Sequence, residues 1–163
     1  DRRQRQMCIR DRSTAYPGTT LEVLIPNLED QSGLLAGKDF FVGYSPERID
    51  PGNKIWKFKN TPKVISGINN ESTKRIKDFY ESIIDEIVIV NGTKEAEMVK
   101  LLENTYRHVN IALINELAML CKMLDIDIWE VVNAAKTKPF GFESFKPGPG
   151  VVSYTHLTLP TIE

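Results

Sequence analysis

The alternation of apolar and polar positions changes character near residue 92. Before that point, short apolar runs alternate with stretches of helical spacing. Ser13-Thr14-Ala15-Tyr16 predicts the end of a strand, followed by a Pro17-Gly18 turn. Thr19 is placed to cap a helix whose apolar positions Leu21, Val23, Leu24, Ile25 and Leu28 crowd one side. Phe40-Phe41-Val42-Gly43-Tyr44 is a nearly continuous apolar run, as a strand buried on both faces of a parallel sheet requires. Val64-Ile65-Ser66-Gly67-Ile68 predicts a further strand, and Asn70 is placed to cap a helix carrying Ile76, Phe79, Tyr80, Ile83 and Ile84. Ile87-Val88-Ile89-Val90 closes the region as another strand. Strands alternating with helices predict α/β architecture with a mainly parallel sheet.

Beyond Asn91-Gly92 the pattern becomes purely helical. Residues 93–124 contain neither Gly nor Pro, and Ala96, Val99, Leu102, Tyr106, Val109, Leu113, Leu117 and Leu120 recur at helical spacing. A helix of roughly 30 residues spans about 45 Å, longer than a small domain is wide, so it predicts a link between domains or packing on a partner subunit. Asp127-Ile128-Trp129-Glu130 has capping-box spacing and starts a second, shorter helix. Residues 137–151 form an aromatic loop rich in Gly and Pro. There is no internal repeat.

Composition narrows the setting. Of the 163 residues, 41% are hydrophobic, enough for a real core, and the net charge of −1 gives no general attraction to nucleic acid or an anionic membrane. Positive charge concentrates in residues 1–12, with five arginines and two aspartates. Cys8 and Cys121 share no spacing that suggests zinc or a disulfide framework, so no metal is expected. No apolar run approaches the roughly 18–20 residues that cross a bilayer, and no secretory signal is recognisable, which predicts a cytoplasmic protein. Residues 1–12 and 152–163 lack periodicity and resemble translated sequencing-adapter sequence. Ordinary disordered tails are the other reading. Cys8, His156 and the N-terminal arginines therefore enter no functional argument.

Several groups have chemistry to offer. Lys100, Asn104 and Arg107 lie at i, i+4 and i+7 and so share a helical face, combining a cation, a two-way hydrogen bonder and an anion clamp. A solvated face accounts for the same pattern. Glu47 and Arg48 directly follow an apolar strand, where ligands sit in open α/β sheets, although charged strand-end loops are common. Thr14 stands just ahead of a helix start, where backbone N–H groups meet anions, and a plain turn hydroxyl explains it equally. Phe140, Phe142 and Phe145 among flexible glycines suit a nucleobase or simple loop packing. Cys121 sits in an apolar helical stretch and reads as core, not as a nucleophile.

Four segments in this order change the weight of those options: STAYPGTT at 13–20, YSPERIDPGN at 44–53, AEMVKLLENTYRHVNIALINELAMLC at 96–121 and KPFGFESFKPGPGV at 138–151. Together they resemble the UDP-sugar 6-dehydrogenase family, with UDP-N-acetylglucosamine 6-dehydrogenases nearest in wording and UDP-glucose and UDP-N-acetylmannosamine dehydrogenases close relatives. The resemblance implies the rear half of a Rossmann-like NAD domain at 13–92 and the start of an all-helical central domain at 93–151. The adapter-like segments at 1–12 and 152–163 are expected to be non-native tails. The resemblance also implies oxidation of a UDP-sugar at C6 to a uronic acid, by two successive hydride transfers to NAD, in polysaccharide biosynthesis. A cysteine of the family holds the intermediate.

Carried over residue by residue, Thr14 is expected to contact the cofactor and Glu47 to act as general base or water-orienting group. Lys100 is expected to handle the proton and stabilise an oxyanion, with Asn104 holding a water or the reacting oxygen. Arg48, Ile49 and Arg107 are expected to contact substrate, and Phe145, Gly148 and Gly150 to bracket the nucleotide. The helix at 93–124 is expected to form a homodimer interface. The sequence departs from the family after Val151, where Val152-Ser153-Tyr154 stands in place of Gly-Gly-His-Cys. The nucleophilic cysteine and the glycine-rich dinucleotide fingerprint are both missing, so the chain alone is expected to be inactive. Two other readings remain open: a non-catalytic helical dimerisation module, and another two-domain dehydrogenase of the 6-phosphogluconate or hydroxyacid type.

Overall fold

The computed structural model describes residues 15–49 and 53–148. Thr14, Gly150 and both terminal segments lie outside the described residues. In chain order the elements are a π-type turn α1 (Thr20–Leu24), helix α2 (Ile25–Ser32), strands β1 (Gly43–Tyr44) and β2 (Lys63–Gly67), helix α3 (Asn70–Glu81), strand β3 (Ile87–Ile89), helix α4 (Thr93–Met123) and helix α5 (Ile128–Ala135). The chain divides into two compact units, Asp1–Leu102 and Glu103–Glu163, so the first turns of α4 belong with the sheet. Ala96 and Glu97, both fully buried, are what anchor them there.

The first unit is α/β, as expected, but its three-stranded sheet in the order β1-β2-β3 is mixed rather than mainly parallel. β2 pairs with β3 in parallel through the α3 crossover, whereas β1 pairs with β2 antiparallel. The reason is connection length: no helix joins β1 to β2, so nothing carries the chain back to start a parallel neighbour. The strand expected over 40–44 shrinks to Gly43–Tyr44, and Phe40 makes only an isolated bridge with Ala36. Ala15 and Tyr16 form no strand. Gly43 faces Gly67 across the pair, and a Cβ at Gly43 would run into the Ser66 carbonyl oxygen. That close approach is what excludes a side chain there.

β2 is buried along its whole length and forms the centre of the first unit, with Val42, Val64, Ile65, Ile84 and Ala96 as its apolar core. Two expected caps are displaced. Thr19 makes no cap, its hydroxyl donating back to the Tyr16 carbonyl instead. α3 is capped by Asn69 rather than Asn70, because Asn69 is the residue in extended backbone whose Oδ1 reaches the Ser72 N–H at 2.8 Å.

In the second unit α4 runs unbroken to Met123, close to the expected end, and Asp127 caps α5 through the Trp129 N–H. The apolar positions of α4 do not form a core here. Tyr106, Val109, Leu113, Leu117 and Leu120, and Leu124 just past the helix end, are all exposed, and only Ile114 and Val132 are buried among the described apolar residues of this unit. Cys121, expected in the core, is half-buried for the same reason.

Candidate functional site

The end of β1 and the segment Ser45-Pro46-Glu47-Arg48 that follows are stitched to residues 62–66, at and just before β2, by four bonds. Ser45 Oγ donates to the Val64 carbonyl at 2.7 Å and Ser66 Oγ to the Tyr44 carbonyl at 3.3 Å. Lys63 Nζ donates to the Pro46 carbonyl at 3.1 Å, and Arg48 Nη1 to the Pro62 carbonyl at 2.9 Å. Glu47 Oε1 accepts the N–H groups of Arg48 and Ile49 at 2.9 and 3.0 Å, which folds the carboxylate back over its own loop. Its Oε2 lies 3.8 Å from Lys63 Nζ.

Lys100 completes the cluster. From the second turn of α4 its Nζ donates to the Glu47 main-chain carbonyl in a short bond. The cation and the strand-end loop therefore meet, through the loop's backbone rather than through the carboxylate. Ile49 stands partly exposed at the loop's edge, while Arg48 spends one guanidinium nitrogen on the main chain of Pro62. An ammonium held beside a loop that also presents a carboxylate can stabilise negative charge developing on a nearby oxygen.

A second cluster was not foreseen. Glu97, one turn before Lys100, is fully buried, and its carboxylate takes three donors. These are Gly18 N–H at 2.5 Å to Oε2, then Thr20 N–H at 2.8 Å and Thr20 Oγ1 at 2.6 Å to Oε1. Gly18 adopts φ +113, which a side chain would strain, so the turn can offer its N–H in this direction only with glycine there. Beside it opens a cavity of about 790 Å³ whose mainly apolar wall includes Tyr16, Leu24, Phe41, Tyr44, Phe79 and Tyr80. Burial, reinforced by the Glu97 charge, pushes the Tyr44 phenol above its ordinary value.

Sequence signals for these groups existed. Glu97 interrupts the apolar row of α4, and Lys63 opens an otherwise apolar strand. Charges in such places need partners.

In the second unit the loop after α5 is tied to α4. Tyr106 donates its hydroxyl to Glu143 at 2.9 Å and packs edge-on against Phe145 at 5.8 Å. Asn115 Nδ2 donates to the Gly148 carbonyl at 2.8 Å while its Oδ1 accepts the Gly148 N–H at 2.9 Å. Phe145 and Gly148, two of the expected nucleotide-bracketing residues, are thus positioned by side chains the sequence reading passed over. Asn104 and Arg107 follow on α4, both partly buried. Among the described residues no group of His, Cys, Asp or Glu could hold a metal ion, and no helix is long and apolar enough to cross a membrane.

An α/β unit with a helix-borne lysine on a strand-end Pro-Glu-Arg loop is the geometry of the site, and comparison with known proteins fixes the family. Residues 2–84 match the NAD binding domain of the UDP-glucose/GDP-mannose dehydrogenase family, and residues 94–155 match the central domain of the same family. The chain belongs to that family, which sets aside the 6-phosphogluconate and hydroxyacid alternatives. It is 51% identical over 137 residues to Protein CapL of Staphylococcus aureus, covering 83% of this chain and 32% of CapL. It is 45% identical over 141 residues to the UDP-N-acetyl-D-glucosamine 6-dehydrogenase of Pseudomonas aeruginosa, again covering 83% of this chain and 32% of the relative. The structure of the UDP-D-ManNAc dehydrogenase of Pyrococcus horikoshii superposes with a TM-score of 0.76 at 38% identity, over 84% of this chain and 32% of that one. The chain thus spans about a third of the length of the curated relatives it matches.

NAD is the cofactor of the matched domain. A pyrophosphate is ordinarily held by open N–H groups at a helix start. Here the N–H groups of Gly18 and Thr20 end on Glu97, and the described residues do not by themselves form a dinucleotide cradle.

Proposed function

We propose that this chain is the middle portion of an NAD-dependent nucleotide-sugar 6-dehydrogenase that oxidises the C6 alcohol of a UDP-sugar to a uronic acid in two hydride transfers, for polysaccharide biosynthesis. UDP-N-acetylglucosamine is the substrate favoured by the CapL and UDP-N-acetyl-D-glucosamine 6-dehydrogenase likenesses. The observation that carries the reading is the Lys100 ammonium fixed on the Glu47 loop. When bound, NAD supplies the hydride acceptor. Lys100 provides a stationary positive charge for the oxyanion at the reacting carbon, where a preorganised cation lowers the barrier without reorganisation. Glu47 orients water or accepts a proton, and Asn104 holds the reacting oxygen or a water. Thr14 contacts the cofactor. Ile49, Arg48 and Arg107 contact substrate, and residues 145–150 bracket the nucleotide.

The enzyme works in the cytoplasm. In the intact enzyme Lys100→Ala lowers kcat about 100- to 1,000-fold while NAD affinity stays near wild type. Steady-state NADH formation with UDP-N-acetylglucosamine, UDP-N-acetylmannosamine and UDP-glucose measures both the role and the substrate. An unchanged turnover number defeats the assignment.

A second reading concerns assembly and is compatible with the first. The exposed stripe Leu102, Tyr106, Val109, Leu113, Leu117, Leu120, Leu124 repeats after eleven residues, from Leu102 to Leu113 to Leu124. A seam of that period lies nearly straight along a helix and suits a second copy of α4. Light scattering coupled to size exclusion tests this homodimer: a dimer that Leu113→Glu converts to monomer supports it, and a wild-type monomer refutes it.

A further inference from the structure

The fully buried Glu97 carboxylate has no part in the chemistry above, yet it accepts three hydrogen bonds. Its three donors all come from the turn that opens α1, so a site built like an anion-binding helix start is filled from within the protein. Burying a carboxylate is tolerable only when its oxygens are fully engaged, and removing or blunting one partner exposes the whole desolvation cost. Such a group sits in one place. It also sits three residues before Lys100 on α4, so the two side chains leave neighbouring turns of one helix. The same helix turn is tied to the same segment from outside, where Lys94 Nζ donates to Glu22 Oε1 at 2.8 Å. That outer pair is exposed and screened by salt; the inner one is not. Tyr44, which the Glu97 charge reaches, immediately precedes the Ser45-Pro46-Glu47 segment that receives Lys100.

We propose that Glu97 is a positioning residue: by filling the Gly18–Thr20 turn it fixes the rotation and depth of the first turns of α4 and so delivers Lys100 to the Glu47 carbonyl. The kinetic consequence rests on the role assigned to Lys100 above, but the geometric one does not. Glu97→Gln keeps the size and turns an N–H₂ group toward one of the two backbone donors, opening the clamp. Glu97→Asp keeps the charge on a shorter arm. Thr20→Val removes only the Oγ1 donor and leaves both backbone bonds.

The test joins two measurements on the same variants. The side-chain ammonium resonance of Lys100, assigned by its loss in Lys100→Arg, reports geometry in the full chain, and kcat and KM report consequence in the intact enzyme. Expected for Glu97→Gln are a displaced Lys100 resonance, kcat lower by about 10- to 100-fold as for a misplaced catalytic group, and KM for NAD within about threefold of wild type. Glu97→Asp recovers part of the loss, and Lys94→Ala, cutting only the exposed pair, leaves both readouts unchanged. A folded Glu97→Gln protein with an undisplaced Lys100 resonance overturns the proposal. Should Glu97→Gln fail to fold, Glu97→Asp, which shortens the arm that reaches all three donors, decides instead: a displaced resonance supports the clamp and an unmoved one refutes it. If Lys100→Ala retains full turnover, the catalytic reading falls, while the resonance still judges Glu97.

Discussion

The two units bury their side chains by opposite means. Around β2 the first unit buries polar and even charged groups, and the charged ones are matched: Glu97 takes three donors, and Lys63 gives its ammonium to the Pro46 carbonyl while facing the Phe58 and Tyr80 rings. The second unit keeps its polar groups outside and leaves its apolar ones there too, with Leu113 at 54% exposure against 0% for Ile65. A sheet flanked by a helix buries its central strand along its whole length. One long helix with a single apolar stripe cannot, since its stripe has nothing to bury against until another surface arrives. Lys100, the proposed catalytic cation, is carried by the first unit, and the expected nucleotide-bracketing loop by the second.

The comparison breaks most sharply on paired truncations. Ile65→Ala removes a fully buried side chain from β2 and is expected to cost about 3–4 kcal/mol in urea unfolding. Leu113→Ala, at an exposed position of the single chain, is expected to cost no more than about 0.5 kcal/mol at low protein concentration. If Leu113→Ala costs as much as Ile65→Ala, the stripe is already covered in solution, and the contrast between the units disappears. A cost that grows with protein concentration points to the second copy of α4.

How far these differences could be read in advance depended on whether they were local. The long helix was legible because 3.6-residue spacing without Gly or Pro over residues 93–124 permits little else, and the Asp127 cap because its partner lies two residues away. The antiparallel β1–β2 pair was not, since strand direction depends on how an irregular connection returns, and apolar runs read the same in both directions. Caps slipped by one residue at Asn69 because neighbouring asparagines are equivalent until backbone φ selects one. In the site, Lys100 and Glu47 were found as residues, but their contact through a main-chain carbonyl carries no sequence signature. Glu97 was missed because its partners lie 77 and 79 residues away. Asn115 was passed over for the same reason: its partner Gly148 is 33 residues distant.

Asn115 also marks the one place where the second unit adopts the first unit's strategy. Its amide satisfies both the N–H and the carbonyl of Gly148, as a strand neighbour would. Asn115→Leu keeps the bulk and strips both bonds from a partly buried backbone group. Expected is a loss of roughly 1–2 kcal/mol, concentrated in the loop. Amide exchange at Gly148 should quicken while exchange along β2 stays unchanged. Uniformly faster exchange through both units would show that the loop is not an independent element.

The smallest expected effect separates the units by what happens to a phenol in each. Tyr44 and Tyr106 both hold their protons above the ordinary value of about 10, for different reasons. At Tyr44 burial comes first and the Glu97 charge second; at the exposed Tyr106 the hydrogen bond to Glu143 comes first. For each the folded state binds the proton more tightly than the unfolded one. The associated stability is therefore complete below the unfolded value and is lost as pH rises through the folded one. Only Tyr44, half-buried, should translate into a measurable alkaline loss of stability, because the Tyr106 pair is open to solvent and screened. Glu143→Ala is expected to return Tyr106 to its ordinary value and leave Tyr44 untouched. Phenolate absorbance during an alkaline titration, assigned with Tyr44→Phe and Tyr106→Phe, reads this directly. Coupled shifts of both tyrosines in Glu143→Ala would mean that the charge environments of the two units are not separate after all.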